Sequence, residues 1–127
     1  MKVAIITFPG TNCERDTAYA FDLLGAKTKI YWHTETDIKA DLIVLPGGFS
    51  HGDYLRTGAI AKFSPAMSAV IKHAKNGGLT LGICNGFQML LELGLLPGAM
   101  LRNSSMSFIS KITNIKVISN KNIFLSQ

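Results

Sequence analysis

Three short apolar runs each end in a turn of small residues. Val3-Ala4-Ile5-Ile6-Thr7 stops at Phe8-Pro9-Gly10, and Leu42-Ile43-Val44-Leu45 stops at Pro46-Gly47-Gly48. Leu79-Thr80-Leu81-Gly82-Ile83 runs into Cys84-Asn85-Gly86. Continuous apolar runs of this length fit strands buried on both faces, which need a covering layer on each side. Lys27 to Trp32 alternates weakly and reads as a further strand, second in chain order. Helical spacing fills the gaps. Thr17, Ala20, Phe21 and Leu24 form one face, preceded by Thr11-Asn12-Cys13-Glu14 as a capping box and closed by Gly25. Met67, Val70, Ile71 and Ala74 form another, with Ser64 as N-cap, Pro65 in the first turn and Asn76-Gly77-Gly78 as the stop. A helical stretch is expected from Asp53 to about Ala61, and a last helix from Asn85 to about Leu93, closed by Gly94. Strands alternating with helices predict an α/β fold with a mostly parallel central sheet between two helical layers.

The remainder reads differently. Phe108 to Ile112 and Ile115 to Ile118 are expected to be short strands around Thr113-Asn114, an antiparallel extension of the sheet. No repeat, linker or internal boundary divides the 127 residues, so one domain is expected. The net charge is +5, and no acid follows Glu92 while Arg102, Lys111, Lys116 and Lys121 do. These cations are scattered, without interleaved aromatics on one face, and predict solvated surface and no nucleic-acid partner. No apolar run approaches a membrane span. Pro9-Gly10 breaks the first apolar run too early for a secretory signal, and Cys13 and Cys84 make no disulfide framework. A cytoplasmic protein with reduced thiols is expected.

Chemistry concentrates at Gly82-Ile83-Cys84-Asn85-Gly86. A nucleophile on a tight strand-to-helix turn is crowded, so its flanks must be small. The turn lifts the thiol to the carboxyl end of the sheet. The following helix aims its N-terminal amides at the sulfur, which favours negative charge there. The amide of Asn85 is then placed to bind an oxyanion, and Pro46-Gly47-Gly48-Phe49 supplies a second donor loop. Both features converge on the crevice at the carboxyl ends of parallel strands, where such folds bind ligands. The plainer reading of Cys84 is an inert core cysteine, and that reading is preferred for Cys13. A thiol nucleophile also needs a base. His33 and His73 are expected at the surface, and His51, in the Gly47-Gly48 loop, is the one candidate near Cys84. No metal site is expected.

Taken together, Thr7 to Cys13, Pro46 to Arg56 and Gly82 to Gln88 resemble the class I (triad) glutamine amidotransferases. The closest likeness is to the glutaminase subunits that serve phosphoribosylformylglycinamidine synthase in purine biosynthesis, and Leu101-Arg102-Asn103 through Phe108 follows the same pattern. The resemblance implies a flavodoxin-like three-layer fold. It implies that Cys84 attacks the side-chain amide of glutamine to give a thioester and ammonia. Gly48 and Asn85 would form the oxyanion hole, and Gln88 would hold the glutamine with Gly47 and Phe49 beside it. No cofactor is implied in this subunit. ATP and Mg would be used by a large synthetase subunit, with a small bridging subunit as the other partner. Two departures are visible. The family carries Tyr where this chain has His51. Its catalytic His-x-Glu has no counterpart here, because no His follows His73 and no Glu follows Glu92. The chain is therefore expected to be the amino-terminal part of one amidotransferase domain, without the His and Glu of the triad, inactive alone and prone to aggregate. Alternatives are a non-catalytic remnant that binds partner subunits, a cysteine-elbow stress protein of related fold, and a flavin-binding module using Thr7 to Asn12. The last leaves Cys84 and Gly47-Gly48 unexplained.

Overall fold

The computed structural model describes residues 1–56 and 58–125. Its elements run β1 (Lys2–Thr7), α1 (Glu14–Leu23), β2 (Lys27–Trp32), β3 (Leu42–Leu45), α2 (Ala66–Lys75), β4 (Leu79–Gly82) and α3 (Asn85–Glu92). The four strands are all parallel, in the order β2-β1-β3-β4. This is the start of a flavodoxin-like order, which reverses direction between β1 and β3. Register sets Val3 beside Leu42 and Ile5 beside Val44. Leu42 lies beside Leu79 and Leu45 beside Gly82.

Alternate side chains point to opposite faces, and each face has its own core. On one side Ala4, Ile6, Phe8, Ile43 and Leu45 pack with Met67 and Val70 of α2 and Met89 and Leu90 of α3. On the other, Val3, Ile5, Leu42 and Val44 pack with Ala18 and Phe21 of α1. The three layers follow directly from strands that are apolar on both faces.

Several expectations are corrected. Thr11 does not cap α1. Its Oγ1 accepts from the Phe8 amide (3.1 Å) and pairs with Ser50 Oγ (2.8 Å), and Cys13 is the uncapped N-cap. Leu24 and Ala20 are exposed, so α1 touches the core through Ala18 and Phe21. Pro65, not Ser64, is the N-cap of α2, because the Ser64 hydroxyl pairs with His33 Nδ1 at 3.1 Å. Among the described residues between Asp53 and Ala61 there is no helix, only a 3-10 turn at either end, Ser50–Asp53 and Ala61–Phe63. Left-handed backbone at His51, Asp53 and Leu55 interrupts any helical ladder there.

Phe108 to Ile112 and Ile115 to Ile118 form no strands. Two strands without a sheet edge or helix to pack on bury too little to pay for their ordering. Phe108, Ile112, Ile115 and Ile118 are each more than four-fifths exposed. The chain is therefore expected to bind a dye specific for apolar surface while native. Replacing Ile112, Ile115 and Ile118 with Ser should reduce that binding and leave the thermal midpoint nearly unchanged. A native chain that binds no dye would contradict this exposure.

Candidate active site

β4 and α3 join at Cys84, whose backbone is left-handed in φ (52°, with ψ −109°). The turn is closed by Ile83 N donating to Leu45 O at 3.0 Å and Gly86 N donating to Ile83 O at 2.8 Å. Its flanks have no room for a β-carbon. One on Gly82 would lie 2.6 Å from the Gly86 carbonyl, and one on Gly86 would overlap the Leu45 carbonyl oxygen. The side chain of Cys84 is exposed. A β-carbon on Gly47 would meet Cys84 Cβ at 2.9 Å and Sγ at 3.8 Å, so the glycine loop lies directly against the thiol. Among the described residues nothing hydrogen-bonds the Cys84 sulfur, whereas the Cys13 thiol, half-buried, donates to Asn12 Oδ1 at 3.3 Å.

The glycine loop is held from two sides. The β1 loop anchors it through Asn12 N to Gly48 O (3.1 Å) and His51 N to Pro9 O (2.6 Å). Gly48 has φ 105°, and a β-carbon on it would lie 2.7 Å from the Cys13 amide nitrogen and 2.9 Å from that of Asn12, which excludes any other residue. From the α3 side, the Asn85 side chain accepts from Ser50 N (3.3 Å) and donates to Asp53 Oδ1 (2.8 Å) and Gln88 Oε1 (3.3 Å). Ser50 and Asn85 are the two buried polar side chains among the described residues. Buried polar groups with all partners in place fix one arrangement and penalise others. Among the described residues the amides of Gly48 and Asn85 donate to no other group.

Gln88 is half-buried one turn beyond Cys84. It lines an open cavity of about 840 Å³ with Asp53, Leu55, Arg56, Arg102 and Asn103, among others. Phe49 is left-handed and 65% exposed, at the mouth of the loop. Cys84, Gly47, Gly48, Asn85 and Gln88 thus gather at one sheet end.

His51 goes elsewhere. Its ring lies tilted against Phe8 (6.0 Å between centroids) and meets His33 edge-on (6.2 Å). Its Nε2 is buried without a partner. His33 and His73 are not free surface residues. Both are half-buried, His33 bound to Ser64 and His73 to the Leu79 carbonyl at 3.0 Å. Burial, and then the neighbouring His33, hold the His51 pKa below its ordinary 6.5. In the window between the two values the unfolded chain binds more protons, so stability rises with pH there. The thermal midpoint is expected to fall as pH drops from about 7 through the ordinary histidine range. His51→Tyr is expected to lessen that slope. An unchanged slope would show that His51 is not strained by protonation.

Sequence reading missed the Asn85 hub and the pairing of Arg56 with Glu92. Asp53, Arg56 and Glu92 had one faint signal, as charges in otherwise apolar or glycine-rich surroundings.

The family model for the CobB/CobQ-like glutamine amidotransferase domain matches residues 1–127. The chain belongs to this family. Among curated amidotransferase relatives, a phosphoribosylformylglycinamidine synthase subunit PurQ from Campylobacter jejuni is 66% identical over 125 residues, covering 98% of this chain and 56% of its own length. The PurQ subunit from Sulfurimonas denitrificans is 61% identical, covering 100% of this chain and 58% of its own. The chain thus spans little more than half the length of these amidotransferase relatives. A solved structure of PurLQS from Thermotoga maritima superimposes with a TM-score of 0.79 at 44% identity, covering 87% of this chain and 52% of that one. Among the described residues no helix is long and apolar enough to cross a membrane, and no cluster of three His, Cys, Asp or Glu could hold a metal.

Proposed function

We propose that this chain is the thiol-bearing part of a glutaminase subunit of phosphoribosylformylglycinamidine synthase, supplying ammonia for purine biosynthesis in the cytoplasm. The observation that carries the reading is the exposed Cys84 on a left-handed turn, set against Gly47 and followed by α3. In this reading Cys84 Sγ attacks the amide carbon of glutamine. The amide oxygen becomes an oxyanion held by the Gly48 and Asn85 N–H groups. The C–N bond breaks as the nitrogen takes a proton, and ammonia leaves. Water then cleaves the thioester to glutamate and restores the thiol. Gln88, beside the cavity, binds the amino-acid end of glutamine, with Gly47 and Phe49 framing the approach.

The base that takes the thiol proton is assigned outside residues 1–127, since His51 turns toward Phe8 and His33. We assign ATP and Mg use to the large synthetase subunit, with the small bridging subunit as second partner. The similar solved structure from Thermotoga maritima is of PurLQS, which supports such an assembly. The test is labelling by a chloroketone analogue of glutamine in protein expressed from its intact gene, mapped by mass spectrometry. Stoichiometric modification of Cys84, blocked by glutamine, is expected. No labelling at Cys84 would sink the glutaminase reading and favour a remnant that only binds partners.

A further inference from the structure

The loop from Gly48 to Leu55 holds an unusual backbone. Gly48, Phe49, His51, Gly52, Asp53 and Leu55 all have positive φ, between 54° and 105°. Four of these carry side chains, which disfavour such a conformation. A loop of this kind persists only when its surroundings over-determine it. Its leading half is tied to the β1 loop, as described. Its trailing half is tied to α3 at two points. Asp53 accepts from Asn85, and Arg56 grips Glu92 with two nitrogens, Nε and Nη2, on separate carboxylate oxygens (2.9 Å for Nη2 to Oε2). A bidentate pair fixes orientation as well as distance.

We propose that Glu92 is a positioning residue for ammonia release, acting through Arg56 to hold the glycine loop on the helix that carries the nucleophile. The inference rests on the glutaminase reading. Arg56 is 59% exposed, so the pair adds little to global stability in water. Its effect is local, because it clamps an otherwise disfavoured loop end. Glu92 sits roughly two turns along α3 from Cys84, about 12 Å by helical rise, too far to touch the reacting amide. A catalytic effect at Glu92 must therefore travel through Arg56 and the loop. Releasing the clamp lets the Gly48 amide drift from the oxyanion while leaving the thiol in place. Losing a whole oxyanion donor costs roughly 10²- to 10³-fold. Loosening one is expected to cost about tenfold.

The test compares two reagents on Cys84, in protein expressed from its intact gene. A chloroketone analogue of glutamine adds to the thiol through a tetrahedral oxyanion. Iodoacetamide alkylates by direct displacement and needs no oxyanion hole. In Glu92→Gln the maximal chloroketone rate is expected to fall about tenfold. The half-saturating concentration and the iodoacetamide rate are expected to stay within about twofold of the parent. The charge-reversed double variant Arg56→Glu with Glu92→Arg is expected to recover part of the loss, which a misfolded protein would not do. The proposal is overturned if Glu92→Gln labels at the parental rate. It is equally overturned if the loss lies in half-saturation, or if iodoacetamide slows in parallel. A parent protein that reacts with iodoacetamide but not with the chloroketone would overturn the glutaminase reading instead.

Discussion

On the proposed glutaminase reading, Cys84→Ser is expected to abolish chloroketone labelling and to lower glutamine hydrolysis by about 10³-fold or more in the assembled complex. The oxygen of Ser is a far weaker nucleophile than the sulfur it replaces, because a hydroxyl gives up its proton far less readily than a thiol. The fold should be indifferent to the change. Cys84 is exposed, and among the described residues its sulfur accepts and donates nothing. The thermal midpoint is therefore expected to move by no more than a few degrees. Glutamate release, measured with the synthetase partner present, decides the matter. Turnover that survives in Cys84→Ser would mean another group carries the reaction. Cys13→Ser provides the contrast. That thiol is half-buried on Asn12 behind the Gly47-Gly48 turn, and its loss is expected to leave labelling intact.

Gly86→Ala should have the largest effect on stability. A β-carbon there would overlap the carbonyl oxygen of Leu45, which already accepts the Ile83 amide. Neither β3 nor α3 can yield cheaply, because Leu45 and Met89 are both buried in the core. Overpacking of a backbone against a backbone is expected to cost about 4 kcal/mol or more, a large part of a typical domain's 5–15 kcal/mol. Gly77→Ala is the control. Gly77 also has positive φ (81°), but open space surrounds it. Its cost is expected near 1 kcal/mol, the backbone term alone. Chemical denaturation of the two variants separates steric exclusion from conformational preference. Equal losses would show that the elbow relaxes around the extra methyl.

The strands were legible because their signal is local. Val3 to Ile6 and Leu42 to Leu45 are apolar at every position, and only a two-faced core asks for that. The elbow was legible for a similar reason, since Gly82 and Gly86 are small where a turn must be crowded. The glycine loop was not. Its left-handed residues at 49, 51, 53 and 55 are imposed by partners far away in sequence, namely Pro9, Asn85 and Glu92. Helical spacing from Asp53 to Ala61 was real as a pattern but lost to these anchors. Thr11 shows the same competition, since a good capping residue was taken by Ser50 and Phe8. The pattern at 108–118 has strand character without a neighbour to pair with.

The backbone at residue 84 carries a further implication. With φ 52° and ψ −109°, this is a place where selection for folding alone would favour glycine. A residue with a β-carbon there forgoes roughly 1–3 kcal/mol of attainable robustness. Homologous chains freed from chemistry would be expected to drift toward glycine at this spot. Retention of a side chain, against that thermodynamic gradient, is a usable marker for sorting working lineages from decayed ones.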